Sequence, residues 1–383
     1  MEILIAFSGN RDVSINIEQS LPAIKVEFAE PPSPITNTLS LILSTTNHPP
    51  DDIILCRRDS VLRKALAVGY YGYGNFGDEL LLKAIRKILK SIGFNTVGIL
   101  YPKTQSSISG VKVYKRFSPK EVVPAIKNTD VVIFGGGGLF QDVTSLRSFL
   151  YYYTIAKISI FFRKPVIFLG TSFGPLKKNL SRLLIRDIVR SKYTFFLPRD
   201  RISVRYIGYL GGNVHSGMDI AVEYLKNLDI NCAKKYDVLI VPKSYDNFWK
   251  TIVNILKAEG RNVKIFIASN EDIKSSLNPY SEEVSIGLDI EKIACSNLVL
   301  SERFHPNLVA MYYGVPFVSI NSKKTEYFSK EFFEEYKGFS KRSIQDVLIR
   351  SKMVEKVDIN VKEKLEERYD MMIEKLRDLT KNL

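Results

Sequence analysis

The stretch Asp130–Ser148, DVVIFGGGGLFQDVTSLRS, decides how this chain is read. Its opening, Asp130–Phe134, carries an uninterrupted apolar run of the kind that a strand buried on both faces of a parallel sheet requires. The run passes straight into Gly135–Gly138, and a helical pattern follows over Arg147–Phe162. Four consecutive glycines cost conformational entropy. A chain keeps them where side chains would obstruct a ligand or another stretch of backbone. Strand, glycine turn and helix form the repeating unit of an open α/β sheet, whose ligands collect at the carboxyl ends of the strands.

The same unit recurs on both sides. Upstream, Ala65–Val68 is a short apolar run ending in Gly69, and a helical face of Leu80, Leu81, Ala84, Ile85, Ile88 and Leu89 follows. Thr96–Leu100 reads as a second strand. Downstream come strands at Val166–Gly170 and Thr194–Leu197, with an amphipathic helix over Leu180–Ser191 between them. After the polar stretch Asn227–Lys235 the cycle restarts. Strands are expected at Asp237–Val241, Val263–Ala268, Leu298–Leu300 and Pro316–Ile320, and helices at Asn247–Ala258, Ile290–Cys295 and His305–Tyr313. Strands alternating with helices at short spacing predict parallel βαβ units. The fold class is therefore α/β, with two Rossmann-like domains over 63–228 and 236–383. The second ends in an amphipathic helix marked by Val361, Leu365, Tyr369, Met372, Leu376 and Leu379. Residues 1–62 read as a small appended unit, with short strands at Ile3–Phe7, Ile24–Phe28 and Ile53–Cys56.

Composition narrows the function classes. At 383 residues and 45% hydrophobic content, the chain can bury a full core, which excludes intrinsic disorder. Lys and Arg number 55 against 41 Asp and Glu, a net charge of +14. Such an excess favours phosphorylated small molecules, nucleic acid or an anionic membrane face. No stretch approaches the ~18 apolar residues that span a bilayer. The nearest, Phe149–Phe162, carries Lys157. The start, MEILIAFSGNRD, lacks the basic region and long apolar run of a signal peptide. Cys56, Cys232 and Cys295 are few and scattered, so reduced thiols in a cytoplasm are expected. Histidines stand only at 48, 215 and 305, so no metal centre is expected.

Three segments carry candidate chemistry. Gly69–Glu79, GYYGYGNFGDE, lies between a strand and a helix, where backbone N–H groups and the helix dipole favour an anion. It reads equally as a tight turn with Asp78 as the helix cap. It has neither dinucleotide-site spacing nor a Walker Gly-Lys-Ser/Thr. Arg147, just inside the helix after Gly135–Gly138, either clamps a carboxylate or phosphate or is one more surface arginine. Ser301–His305, SERFH, follows a strand and opens a helix, so Arg303 and His305 can converge on one anion. A structural histidine is the alternative there. Lys323 and Lys324 come at the end of the next strand, again on the ligand edge.

Together, GYGNFGDE (72–79), GGGGLFQDVTSLRS (135–148), SERFH (301–305) and GVP (314–316) resemble the polysaccharide pyruvyl transferase family, over residues 66–330 or so. The 135–148 segment is closest to the subgroup acting on cell-wall or surface polysaccharide. Weaker matches are GTSFGP (170–175), where the family has a Gly-Gln-Gly-Ile-Gly-Pro-like segment, Arg199-Asp200 with Ser203, and Asp219. The resemblance implies a GT-B-like pair of domains facing a cleft. It implies transfer of a pyruvyl group from phosphoenolpyruvate to two hydroxyls of a sugar, giving a cyclic ketal and phosphate, without cofactor or metal. The implied catalytic residues are His305, Asp78 and Glu79. The implied substrate contacts are Arg147, Arg303 and Lys323 or Lys324, with Gly74, Asn75, Gly136, Gly137, Gly138, Thr144 and Ser145. The implied partners are phosphoenolpyruvate and a sugar or lipid-linked glycan acceptor, with no nucleic acid; the excess positive charge adds peripheral membrane association as an option. Two alternatives stay open: a nucleotide-sugar glycosyltransferase of the same architecture, and a non-catalytic basic binder of nucleic acid or polysaccharide.

Overall fold

The structure, a computed structural model, describes residues 2–3, 17–18, 63–102, 110–275, 284–333 and 335–381. The chain divides into two compact units, Met1–Asp59 and Ser60–Leu383. In the first, β1 (Glu2–Ile3) pairs antiparallel with β2 (Ile17–Glu18). The strands expected at Ile24–Phe28 and Ile53–Cys56, and most of that at Ile3–Phe7, lie outside the described residues.

The second unit holds two six-stranded sheets, each parallel throughout. The first lobe comprises β3 (Lys64–Val68), β4 (Thr96–Tyr101), β5 (Lys112–Lys115), β6 (Val131–Phe140), β7 (Val166–Phe173) and β8 (Thr194–Leu197). Its helices are α1 (Phe76–Ser91), α2 (Pro119–Lys127), α3 (Leu146–Phe161), α4 (Asn179–Val189), α5 (Arg201–Tyr209) and α6 (Ala221–Lys226). The second lobe comprises β9 (Val238–Val241), β10 (Val263–Ile267), β11 (Val284–Ile286), β12 (Val299–Ser301), β13 (Phe317–Ile320) and β14 (Phe339–Ser340). Its helices are α7 (Asn247–Ala258), α8 (Asn270–Ser275), α9 (Ile290–Ala294), α10 (Phe304–Tyr312), α11 (Lys323–Ser329), α12 (Ile344–Met353) and α13 (Ile359–Lys381).

Strand orders are β5-β4-β3-β6-β7-β8 and β11-β10-β9-β12-β13-β14, so both sheets follow one topology. In each, the winding direction reverses between the two central strands, β3 and β6 or β9 and β12. That reversal leaves a crevice at the strands' carboxyl ends, where open α/β sheets place their ligands. The two Rossmann-like sheets and the terminal helix are thus as the sequence predicts.

Strand β6 departs from expectation in an instructive way. The ladder does not stop at Phe134. It continues through the glycines to Phe140, with a register shift between Gly137 and Phe140. Gly136 and Gly137 take φ values of 78° and 80°, which disfavour any other residue. A Cβ on Gly135 would lie 2.5 Å from the Tyr71 hydroxyl, and one on Gly136 would lie 2.8 Å from Leu81. Half of the glycine run therefore answers to packing beneath the sheet. Phe134, Phe168 and Phe196 sit in register on β6, β7 and β8 and stack at 4.9 and 4.6 Å. This cross-strand aromatic row fixes the sheet that carries the glycines.

Two further features differ from the sequence reading. Cys232 and Cys295 form a disulfide with Cα atoms 5.8 Å apart, which corrects the expectation of reduced thiols for this pair. Separated by 63 residues, they give no spacing signal; the fold brings them together where Lys235 N donates to Cys295 O at 2.7 Å. Helix α13 belongs to both lobes. Glu366 meets Tyr312 of the second lobe, while Tyr369 donates to Glu223 at 2.6 Å and Arg63 donates to the Thr380 carbonyl at 2.5 Å. Among the described residues, no helix is long and apolar enough to cross a membrane.

Candidate active site

The strand ends of the two sheets border a cleft of about 820 Å³. On the first-lobe side the start of α1 contributes Asn75, Gly77 and Asp78, and β6 contributes Gly137 and Gly138. Thr144, Ser145 and Ser148 line it at the start of α3, and Arg199 lines it just beyond β8. The second lobe supplies Lys243 after β9, Glu302–Pro306 after β12, and Lys323 and Lys324 after β13. A backbone seam joins the walls: Phe76 N donates to Ala268 O at 2.7 Å, and Asn75 bridges Ser269.

Arg199 is the centre of the arrangement. It is 3% exposed, and its Nη1 donates to Asp219 Oδ2 at 2.6 Å while its Nε donates to Ser172 at 2.8 Å. The guanidinium also lies 4.2 Å from the ring centroid of Phe304, across the cleft. Asp219 is fully buried, and His305 Nε2 stands 3.6 Å from the same carboxylate oxygen. Burial opposes ionisation of Asp219, but His305 and Arg199 together outweigh it and hold the carboxyl well below the usual range.

Gly77 explains how the imidazole reaches this point. A Cβ there would fall 1.9 Å from His305 Nδ1, so the second-lobe histidine occupies space that only a glycine on α1 leaves open. Beside it, burial pushes Asp78 up to about 6, with Glu79 adding to the shift and His305, Lys324 and Arg199 opposing it. Lys324 is open to the cleft, yet the protein around its tip, then Arg199, brings its ammonium down to about 8 against the pull of Asp78. Arg303 pairs with Asp272, whose carboxyl burial raises to about 6 despite the arginine. Glu302 accepts from Lys243 N at 2.8 Å, Trp249 Nε1 at 3.2 Å and Arg342 Nε at 3.0 Å, so it anchors the loop after β9.

At the first-lobe end the wall presents mainly hydroxyls and rings, with Glu271 of the second lobe accepting from the Tyr70 hydroxyl at 3.1 Å. Ser145 caps α3 by accepting from Ser148 N at 3.1 Å. Tyr70 and Tyr152 continue the lining. Both belong to an aromatic cage around Arg116, which is 3% exposed, with ring centroids of Tyr70, Tyr73, Phe117, Tyr151 and Tyr152 at 4.7–5.8 Å from its guanidinium.

Of the residues singled out in the sequence, His305, Asp78, Arg303, Lys323 and Lys324 line this cleft. Asn75, Gly137, Gly138, Thr144 and Ser145 do so as well. Four do not. Gly136 is buried against Leu81 and Ile220. Gly74 is exposed and faces Asn270. Glu79 accepts from Gly72 N at 2.8 Å, holding the glycine turn, and faces a separate cavity of about 690 Å³. Arg147 is exposed on the first turn of α3, outside the lining. The first lobe's guanidinium in the cleft is that of Arg199, and Arg147, expected as a substrate contact, lies outside the lining. Sequence reasoning placed Arg199 and Asp219 only among the weaker family matches and did not make Arg199 or Lys243 a site residue. For Lys243 the available signal was position alone, after a strand at the ligand edge.

The family model for polysaccharide pyruvyl transferases matches residues 75–324, from the cap of α1 to the start of α11. The chain belongs to the polysaccharide pyruvyl transferase family. The matched span contains the cleft lining except Tyr70, and the Arg199–Asp219–His305 cluster, and membership supports transferase activity. Among curated proteins, no match to this sequence is found.

Solved structures extend the fold likeness of this pyruvyl transferase family member. A UDP-N-acetylglucosamine 2-epimerase from Rickettsia bellii has a TM-score of 0.54 at 9% identity, covering 83% of this chain and 98% of that one. The Neisseria meningitidis UDP-GlcNAc 2-epimerase bound to UDP-GlcNAc has a TM-score of 0.53 at 10% identity, with coverage of 82% and 99%. A putative UDP-N-acetylglucosamine 2-epimerase from Listeria monocytogenes follows at 0.51 and 11%, with coverage of 82% and 91%. At such identities the likeness is one of fold, the GT-B-like pair of sheets.

Proposed function

We propose that the cleft transfers a pyruvyl group from phosphoenolpyruvate to two hydroxyls of one sugar in a surface polysaccharide or glycan precursor, forming a ketal and releasing phosphate. The observation that carries this reading is the meeting of Arg199 from one lobe with His305, Arg303 and Lys324 from the other around one cleft. A donor with a carboxylate and a phosphate suits fixed cations on two walls. Each charge-assisted bond contributes about 1.5–3 kcal/mol.

One sugar hydroxyl adds to C2 of the enol phosphate while a proton joins C3, converting methylene to methyl. The second hydroxyl then displaces phosphate from C2. Of the two hydroxyl protons, one ends on the methyl and the other leaves with phosphate. Asp78, raised to about 6, suits the base that takes a hydroxyl proton near neutrality. His305 acts as the acid or as the phosphate partner, and Asp219, 3.6 Å from Nε2, positions it. Thr144, Ser145, Ser148, Tyr70 and Tyr152 offer hydroxyls and rings suited to the acceptor, a sugar or a lipid-linked glycan.

The test is phosphate release from phosphoenolpyruvate with a panel of sugar acceptors. Acceptor-dependent release is expected, together with a rise in melting temperature on adding the donor. Replacing His305 by Asn should lower kcat by ~10²–10⁴-fold. Stabilisation by a nucleotide sugar but not by phosphoenolpyruvate, with no phosphate released, overturns the reading in favour of glycosyl transfer.

A further inference from the structure

Residues 177–209 contain nine Lys and Arg against two Asp; eight of the nine are exposed, Arg199 being buried in the cleft against Asp219. They fold as α4, β8 and α5 at one edge of the first sheet. On α4 and just beyond it, Arg182, Arg186 and Arg190 recur at four-residue spacing and are exposed, so they share one face. Lys177, Lys178 and Lys192 are exposed on its flanks. Arg201 and Arg205 repeat the spacing on α5, with Arg201 shared by Glu331 at 3.5 Å. The two helices are neighbours: Val189 and Ile207 close together on Gly212, each 2.7 Å from where its Cβ would be.

Neither acid offsets this field outward. Asp187 is held by Lys157 at 2.9 Å and by the Tyr153 hydroxyl at 2.8 Å. Asp200 caps α5, accepting from Ser203 N at 2.8 Å, and also accepts from Ser172 at 2.7 Å. Among the cations stand exposed apolar side chains, Leu183 at 49%, Ile202 at 48% and Tyr209 at 88%. Guanidinium groups interleaved with aliphatic side chains suit the headgroup and acyl layers of a bilayer. A nucleic acid surface gains little from exposed Leu and Ile. The patch also abuts the cleft. Pro175 lines it, and Asp142, directly after the strand bearing the glycines, accepts from Lys177 N at 2.7 Å and Lys178 N at 2.8 Å.

We propose that the α4–α5 face of the first lobe docks on a bilayer rich in anionic lipid, with its cations among the headgroups, Leu183 and Ile202 at the acyl boundary, and the cleft rim beside the lipid surface. The surface stands without the pyruvyl-transfer reading. Only its use, presenting a lipid-linked acceptor to the cleft, rests on that reading.

The experiment is co-sedimentation of the full chain with phosphatidylcholine vesicles, with and without phosphatidylglycerol. The chain should pellet only with the anionic vesicles, and less so as salt rises. R186E/R190E should weaken partitioning by about tenfold or more. L183S/I202S should weaken it while leaving affinity for a short RNA duplex unchanged. K177E/K192E repeats the charge test outside the helix, should the first pair lower the melting temperature. Equal pelleting with neutral vesicles, or undiminished pelleting of the charge-reversed chains, overturns the proposal. So does full competition by the RNA duplex combined with unchanged vesicle binding of L183S/I202S, which would mark the face as a nucleic acid surface. Phosphate release with a soluble acceptor is measured on the same samples. Its absence in the wild type would sink the pyruvyl-transfer reading and leave the vesicle result standing.

Discussion

The two lobes share one strand order yet meet the cleft with opposite chemistry. The first lobe offers glycines, helix caps, hydroxyls and a half-buried carboxyl, Asp78, with the guanidinium of Arg199 its one arginine among the described lining residues. The second offers Lys243, Arg303, His305, Lys323 and Lys324 on loops and helix starts. The difference teaches that the topology fixes where a ligand goes, whereas the residues after each strand fix what the ligand is. It also makes the site a joint product: His305 is seated by Gly77 of the other lobe, and Phe304 covers Arg199.

The largest way to break this division is to remove the first lobe's cation. Arg199→Met leaves Asp219 buried without its closest partner, which should cost about 3–5 kcal/mol in denaturant unfolding and abolish turnover. R199M/D219N should recover much of the stability and none of the activity. Next, Gly77→Ala tests the seating of the imidazole. A Cβ 1.9 Å from Nδ1 must displace the ring, and a shift of about 1 Å costs on the order of 10²-fold in kcat. Unchanged turnover would separate His305 from α1.

A smaller effect sharpens the pairing of Asp78 with Lys324. kcat/KM should fall below pH about 6 as Asp78 protonates and above about 8 as Lys324 discharges. Stability runs the other way. Asp78, raised from 3.8 to about 6, binds a proton in the folded state that the unfolded chain has released, so stability declines as pH climbs through that window. Lys324, lowered from 10.5 to about 8, holds fewer protons when folded, so stability recovers as pH climbs through its own window. Asp78→Asn should remove the acid limb of the rate profile and the first decline together. The smallest effect is expected at Arg147→Ala, within about twofold in kcat/KM, because this exposed residue lies outside the cleft.

Central elements were legible in the sequence because burial on both faces writes itself as an apolar run. Val131–Phe134 and Val238–Val241 show this plainly. Of the edge strands, Thr194–Leu197 was legible by its apolar run, but two others were not. Lys112–Lys115 is half exposed and reads as KVYK, with no run to detect, and the two-residue Phe339–Ser340 carries no pattern at all. Residues whose neighbours are consecutive, such as those of SERFH, announced themselves. Arg199 did not, because its meaning depends on Asp219 twenty residues on and on Phe304 in the other lobe. One arginine among 55 basic residues has no local signature for that. The Cys232–Cys295 bond is the same case: proximity is created by the fold and leaves no trace in spacing.

Helix α13 has one more implication, for the order in which the protein is made. Residues 359–381 lie last among the described elements, yet they cover Met218 and Glu223 and reach back to Arg63. A ribosome releases the first lobe long before the segment that closes it. Until that helix arrives, Met218 and Glu223 lack their partners on it, so the first lobe is completed only once residues 359–381 have been made.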